Sequence, residues 1–229
     1  MPFMFYDWTI LLILPGLLLS MWAQARVRGA YNKYEKVASR EGLTGAEMAR
    51  RMLQNEGIHD VAIETVQGTL TDHYNPNTLT LGLSQGVANS TSIAALGIAA
   101  HETGHVLQHR DGYSPLMVRT AAVPVANVGS NLSWVLVLVG LIFSFGPLIT
   151  AGIILFSVAV FFTLITLPVE FNASKRAMAA LESGGYLSAD ELPGAKKVLD
   201  AAALTYVAAA LTAVLQLVRL LALSGRRRR

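Results

Sequence analysis

The chain has 229 residues, enough for one ordinary domain, yet 53% of them are hydrophobic and only 14% carry a charged side chain. This balance lies outside the range of typical soluble proteins and indicates membrane segments. The net charge is only +3, so we expect no nucleic-acid partner. Cysteine is absent, which excludes disulfides and thiolate metal ligands.

The first apolar run extends from Trp8 to Ala25 and is close to the length of a membrane span. We predict a transmembrane helix over residues 1–26. A cleaved signal peptide is the alternative, because Ala23-Gln24-Ala25 resembles a cleavage site. No Lys or Arg precedes the run, which disfavours that alternative. Basic residues follow the run, so the positive-inside rule places the next segment in the cytoplasm; they are Arg26, Arg28, Lys33 and Lys36.

Residues 27–118 are predicted to form a small cytoplasmic α+β lobe. Thr44 and Glu47 have the spacing of a capping box, which predicts a second helix that ends near Gly57. Two segments have strand composition, 61–66 and 78–81, with turn residues at 74–77 between them. We therefore expect a short β-hairpin or ribbon.

The sequence His101-Glu102-Thr103-Gly104-His105 is the pattern of a hydrolytic zinc site. It lies in a predicted helix that starts near Ser90-Thr91-Ser92, a run of good N-caps. Two histidines four residues apart differ by roughly 40° around a helix, so both rings can reach one ion. Glu102 then points at a bound water, and the predicted cofactor is Zn²⁺. We expect the substrate backbone to pair with the nearby 79–83 segment.

The residues from Thr120 to Val169 include no Asp, Glu, Lys, Arg or His. The stretch is long enough for two spans, and Ser144-Phe145-Gly146-Pro147 supplies turn residues near its middle. We predict a transmembrane hairpin over residues 119–169.

A catalytic zinc site needs one more protein ligand. Glu170 follows the hairpin directly and could be delivered to the inner membrane surface beside His105. It could equally be a solvated carboxylate at the membrane boundary. His109 is a weaker rival, because a rigid helix does not easily bring three residues at successive i+4 positions to one tetrahedral ion.

The C-terminal part is predicted as a ligand-bearing helix and loop over residues 170–200, with a loop-rich connection at 183–197. A further membrane helix follows over residues 201–229. Its length favours a span, whereas its basic tail, Arg226–Arg229, favours an interfacial helix on the inner leaflet. Polar residues recur along one stripe of this helix, which should face protein or headgroups: Thr205, Thr212, Gln216 and Arg219.

The segment from Ala100 to His109, the two-span hairpin and the segment Glu170-Phe171-Asn172-Ala173-Ser174 together resemble the "YugP-like putative neutral zinc metallopeptidase" family of bacterial membranes. The segments 72–76 and 203–211 are similar to that family as well. This family is in turn similar to HtpX and the CAAX prenyl protease clan. The resemblance therefore covers nearly the whole chain.

The resemblance implies that Glu170 is the third zinc ligand and Glu102 the catalytic base, in the manner of a gluzincin. The resemblance also implies a bacterial membrane, and together with the apolar runs and the positive-inside rule it predicts a multi-pass protein of the inner membrane whose site faces the cytoplasm. One position departs from the wider clan, which usually has an Asp four residues after the ligand Glu to orient a zinc-bound His. This chain has Ser174 there, so the support of the ligands is expected to be weaker or built differently.

These features predict a mainly α-helical membrane protein with a zincin-like lobe, acting as a zinc-dependent endopeptidase on peptides or membrane proteins at the cytoplasmic face. Glu102 would activate a zinc-bound water. An oxyanion donor is also needed, and His73 is the first choice. The other choices are Tyr74, Arg176 and Tyr206.

Two other classes of function would require different features. A membrane adaptor or chaperone-like protein with a structural zinc site would have a closed four-ligand site, whereas a hydrolase keeps one position open for water. A metal transporter would need ionisable residues inside the membrane, and the predicted hairpin has none. The sequence indicates no oligomeric state.

Overall fold

The structure is a computed structural model that describes residues 8–226, without the side chain of Arg226. The described chain is mainly helical and has one small sheet, as predicted. The helices are α1 (Leu14–Tyr34, preceded by the 3-10 turn Trp8–Ile13), α2 (Gly45–Asn55), α3 (Gln85–Ala88), α4 (Ile93–Arg110), α5 (Ser114–Ile142), α6 (Gly146–Ser183) and α7 (Leu192–Arg226). The strands are β1 (Ala62–Val66), β2 (His73–Asn75) and β3 (Thr80–Ser84).

Within residues 8–226, four helical segments are long and apolar enough to cross a membrane: Trp8–Tyr34, Ser114–Ile142, Gly146–Ser183 and Leu192–Gly225. The predicted hairpin corresponds to the second and third, and its turn occupies residues 143–145. The basic tail lies almost wholly outside the described residues, since these end at Arg226.

The chain divides into two compact units. The first comprises the described parts of segments 1–23, 117–168 and 205–229. Helices α5 and α6 approach closely within this unit at Gly152. A Cβ on Gly152 would stand only 2.8 Å from the backbone oxygen of Ser133. A buried apolar cluster forms the core of this unit: Val137, Ile149, Ile153, Phe156, Val160 and Leu220.

The polar stripe of α7 packs against the N-terminal span within this unit. A Cβ on Gly16 would lie 2.6 Å from Thr212 Oγ1, so only glycine allows this approach. Ser20 Oγ lies 3.4 Å from the same hydroxyl. Arg219 Nε donates to Thr9 Oγ1 at 3.4 Å. These two stripe residues therefore face protein, one of the two environments predicted for them.

The second unit comprises residues 24–116 and 169–204. Its helix α2 begins at the predicted capping box, where Glu47 N donates to Thr44 Oγ1 at 3.3 Å and Thr44 N donates to Glu47 Oε2 at 2.9 Å. Helix α4 begins after Ser92, whose side chain accepts from Ala95 N. The core of this unit includes five fully buried large side chains: Met48, Leu81, Leu83, Leu96 and Leu181.

The strand order in the sheet is β1-β3-β2, and this corrects the predicted hairpin of 61–66 with 78–81. β1 and β3 are parallel, and the hairpin is formed by β2 and β3. The turn lies two residues later than expected: Asn75 ends β2, and its Oδ1 accepts from Asn77 N at 3.0 Å. Alternating apolar residues indicate strands but do not encode which neighbour each strand pairs with.

The predicted substrate-pairing role of segment 79–83 is also wrong. Thr80, Leu81 and Gly82 of β3 have strand partners on both sides. A central strand has no unpaired backbone groups left for an added peptide.

The connection between α6 and α7 is shorter than the predicted loop of 183–197, because α7 already begins at Leu192. Pro193 does not prevent this, since the first turn of a helix needs no donor at that position. Glu191 fixes the end of the connection by accepting from Ser188 N, Ser188 Oγ and Arg40 N.

Candidate metal centre

The two histidines of the zinc-binding pattern lie on one face of α4. Their ring centroids are 4.9 Å apart and the rings are almost perpendicular. The helix that holds them is buried over its first turns, because the run from Ile93 to Ala100 is small and apolar. Only 12% of the His101 side chain and 7% of the His105 side chain are exposed.

Glu170 on α6 reaches both rings. Its Oε2 lies 3.1 Å from His101 Nε2 and 3.6 Å from His105 Nε2. One potential ligand atom from each of the three residues lies within 4.8 Å of the others. The structure therefore brings together the three residues predicted as ligands, although they are far apart in sequence.

This spacing fits a zinc ion. Ligand atoms at about 2.0–2.2 Å from a tetrahedral ion stand about 3.3 Å from one another, and the two measured nitrogen–oxygen distances bracket that value. The side chain of Glu170 is only 2% exposed, and a buried carboxylate needs a positive partner. Two nitrogens and one carboxylate oxygen are a ligand set that zinc accepts in hydrolytic enzymes.

Gly104 lets the two ligand-bearing helices approach. A Cβ at this position would lie 2.6 Å from the backbone oxygen of Ala173 on α6, far inside van der Waals contact. The glycine between the two histidines therefore has a geometric reason: it sets the separation at which Glu170 reaches their rings.

Each imidazole has a further partner at the nitrogen that faces away from Glu170. His101 Nδ1 lies 3.1 Å from Ser174 Oγ, the position where the wider clan has an Asp. His105 Nδ1 lies 2.9 Å from Gln108 Oε1. Sequence reasoning missed Gln108. Its position three residues after a predicted ligand, on the same helical face, was the available signal.

Comparison with known proteins places the chain in a family. Residues 9–225 match the family described as "Putative neutral zinc metallopeptidase". The chain belongs to this family. It is also 49% identical over 219 residues to the "Putative membrane protease YugP" of Bacillus subtilis (strain 168), which covers 95% of this chain and 97% of that protein. No solved structure matches the chain.

Membership of a neutral zinc metallopeptidase family implies zinc as the metal, and the His101, His105 and Glu170 group offers a place for it. The similarity to a membrane protease and the four apolar helices indicate association with a membrane. Both findings agree with the predictions at this level.

In this member of the neutral zinc metallopeptidase family, the structure does not bring His73 to the three clustered residues. Tyr74, its neighbour on β2, contacts His109 of α4 through a 2.8 Å bond between the hydroxyl and Nδ1. Successive strand residues point to opposite faces, so His73 faces away from α4. Its ring packs on Gly82, and its Nδ1 lies 2.9 Å from Thr71 O. The predicted oxyanion role of His73 therefore has no geometric support.

The remaining predicted residues are placed as follows. Glu102 is partly buried on α4 between the two histidines. Burial, together with the nearby charge of Asp60, raises the pKa of Tyr74 to about 12, so this phenol stays protonated at neutral pH. Arg176 donates to Asn172 and pairs with Asp111. Tyr206 lies on α7 in the first unit.

Proposed function

We propose that the protein is a membrane-bound zinc endopeptidase of the gluzincin type. His101, His105 and Glu170 would hold the ion. When bound, the ion would polarise the scissile carbonyl and lower the pKa of the attacking water, so that this water loses a proton more easily. Glu102 would accept the proton of the attacking water and pass it to the leaving amine. The observation that carries the proposal is the convergence of Glu170 Oε2 on both Nε2 atoms.

The site would face the cytoplasm of a bacterial inner membrane, and the protein would cross that membrane several times. The basic residues that follow the first apolar run support this orientation under the positive-inside rule. The substrates would be peptides or membrane proteins. The lipid bilayer would be the other partner, and no nucleic acid would take part.

The test uses full-length protein purified in detergent, with zinc content measured by elemental analysis and cleavage measured on fluorescently labelled casein. Glu102→Gln should keep the zinc and lose at least about 100-fold in cleavage rate, the usual contribution of a general base. Glu170→Ala should lose zinc and activity together. Glu182→Gln, on an exposed position of the same helix as Glu170, is the matched control and should change neither.

Three outcomes would contradict parts of this proposal. Unchanged zinc content in Glu170→Ala would remove Glu170 from the site. Full cleavage by Glu102→Gln would defeat its assignment as the base. Bound zinc in the unaltered protein without cleavage of casein, and without any protein accumulating in cells that carry Glu102→Gln, would favour the adaptor with a structural zinc.

A further inference from the structure

Gln108 lies three residues after His105 on α4 and is completely buried. Its Oε1 stands 2.9 Å from His105 Nδ1. A buried amide costs free energy unless its polar atoms are paired. Gln108 meets this need by bonds to α6 and to the ring of a predicted ligand.

The orientation of the Gln108 amide is forced by its neighbours. Its Nε2 lies 2.8 Å from the backbone oxygen of Val169 and 3.0 Å from Asn172 Oδ1. A backbone carbonyl can only accept a hydrogen bond, so the amide nitrogen must face it and Oε1 must face the ring. His105 Nδ1 then has to carry a hydrogen and donate it.

Asn172 is held in the same way. Its Oδ1 also accepts from Arg176 Nε at 2.9 Å, and a guanidinium can only donate. Arg176 in turn pairs with Asp111, at the end of α4. Asn172 Oδ1 therefore accepts from both Arg176 Nε and Gln108 Nε2, and Gln108 Oε1 accepts from His105 Nδ1, so donor and acceptor are fixed in each of these bonds.

The consequence appears at the other ring nitrogen. With a hydrogen on Nδ1, a neutral His105 presents the lone pair of Nε2 towards Glu170 Oε2, 3.6 Å away. Two electron-rich atoms that face each other in a buried place are stabilised by a cation between them. The neighbouring His101 is not constrained in this way, because the Ser174 hydroxyl at its Nδ1 can either donate or accept.

We propose that Gln108 is a positioning residue that fixes the tautomer and ring orientation of His105 for metal binding, with Asn172 and Arg176 holding its amide. The inference rests on the zinc site of the proposed function. It also explains how this chain orients a zinc-binding histidine without the Asp that the wider clan usually has at the position of Ser174. Here the Gln108 amide on α4 accepts a hydrogen bond from His105, whereas that Asp would orient a histidine from α6.

The rival explanation is that Gln108 merely ties α4 to α6. Two substitutions separate the explanations. Gln108→Met keeps the volume but removes every hydrogen bond. Gln108→Glu keeps an acceptor for His105 Nδ1 but loses both donors, so it faces the oxygens of Val169 and Asn172 unfavourably. If Gln108 positions His105, the variant that keeps the acceptor should bind zinc more tightly than the variant that lacks it. If Gln108 is only structural, the zinc affinity of each variant should fall in proportion to its loss of thermal stability.

The experiment measures zinc affinity by competition with a chromophoric chelator, on the full-length protein in detergent, together with the visible spectrum of the Co²⁺-loaded form and the melting temperature. Gln108→Met should bind zinc about 10–100-fold more weakly, the usual effect of losing a partner of a ligating histidine. Gln108→Glu should bind zinc at least tenfold more tightly than Gln108→Met, although its melting temperature should be lower than that of the unaltered protein.

Thr103→Val is the control. Thr103 is equally buried on α4, and among residues 8–226 its hydroxyl bonds to Ala99 O of the same helix, so the zinc affinity and the Co²⁺ spectrum of Thr103→Val should stay unchanged.

Equal zinc affinity in Gln108→Met and the unaltered protein would overturn the inference. So would equal losses in the Met and Glu variants, because the acceptor would then not matter. These results are distinguishable from failure of the proposed function, which would appear as absent zinc binding in the unaltered protein itself.

Discussion

The small size of Gly104 directly controls the spacing of His101, His105 and Glu170. It lies between the two histidines on α4, where the backbone of Ala173 on α6 leaves no room for a side chain. Ligands must be held within about 0.5 Å of their working positions for a site to bind its metal well. A single methyl group at this position is therefore large compared with the tolerance of the site.

Gly104→Ala should destabilise the protein by about 1–3 kcal/mol, the usual cost of overpacking, and should lower its zinc content. Gly97→Ala is the matched control. It lies on the same helix, and its added Cβ would meet Ala195 Cβ at an ordinary 3.4 Å. Because alanine is the better helix former, Gly97→Ala should be neutral or stabilising. Thermal unfolding in detergent and elemental analysis check both expectations, and equal behaviour of the two variants would refute the role of Gly104.

The sequence was informative about single residues where chemistry leaves few choices. The two histidines follow from their spacing, and Glu170 was suggested by its place after the charge-free hairpin and by the family resemblance. Gln108 was not found, because an isolated glutamine on a helix is usually a solvated surface residue. Its burial depends on the carbonyl of Val169, which belongs to another helix.

At the scale of elements, the end of α4 is linked to α6 at the surface by an ion pair, in addition to the contacts among His101, His105 and Glu170. Asp111, just after α4, accepts from Arg110 Nε at 2.8 Å and pairs with Arg176 of α6. Arg176 above all, with help from Arg110, holds the pKa of Asp111 below its usual range. The charged form is therefore the one that the folded state favours.

This lowered pKa predicts a pH dependence. A carboxyl group with a depressed pKa in the folded state stabilises it above its unfolded pKa of about 3.9, and this contribution is lost as the pH falls through the folded-state value. Asp111→Asn should therefore lower the melting temperature at pH 7, by no more than about 4 °C because the ion pair with Arg176 is partly exposed. At about pH 3 the difference should shrink. Glu182→Gln serves as the control, and a difference that grows in acid would contradict the assignment.

The elements were predicted best where a local signal marks their ends. Thr44 with Glu47 and Ser92 with the apolar run behind it identified the starts of α2 and α4, because caps act through bonds to the next three residues. The sheet was predicted less well. The parallel pairing of β1 with β3 depends on the path of residues 67–72, where Asp72 accepts from Ser84 N at 2.7 Å, and no short pattern encodes such a distant contact.

At the scale of the whole molecule, the absence of cysteine makes the membrane topology directly measurable. Single cysteines can be introduced without any background thiol. Three exposed positions sample the segments between the candidate spans and the C-terminal end: Glu41, Ser144 and Gly225.

A membrane-impermeant maleimide should label Ser144→Cys in intact spheroplasts, because the hairpin turn is expected outside. Glu41→Cys should react only after the membrane is opened, since basic residues place its segment inside. Gly225→Cys should be labelled from outside if α7 is a fourth span, as its length favours, and only from inside if it is interfacial. Labelling of Glu41→Cys in intact spheroplasts would reverse the proposed orientation.

The separation of the ligands along the chain also orders events in time. During translation, His101 and His105 are synthesised before the uncharged stretch from Thr120 to Val169. Glu170 is added only after that stretch is complete. A nascent or truncated chain that stops within that stretch has two nitrogen donors and lacks the carboxylate. No fragment that ends before residue 170 can therefore assemble the three-residue group, so the candidate metal centre can form only after the apolar stretch has been synthesised.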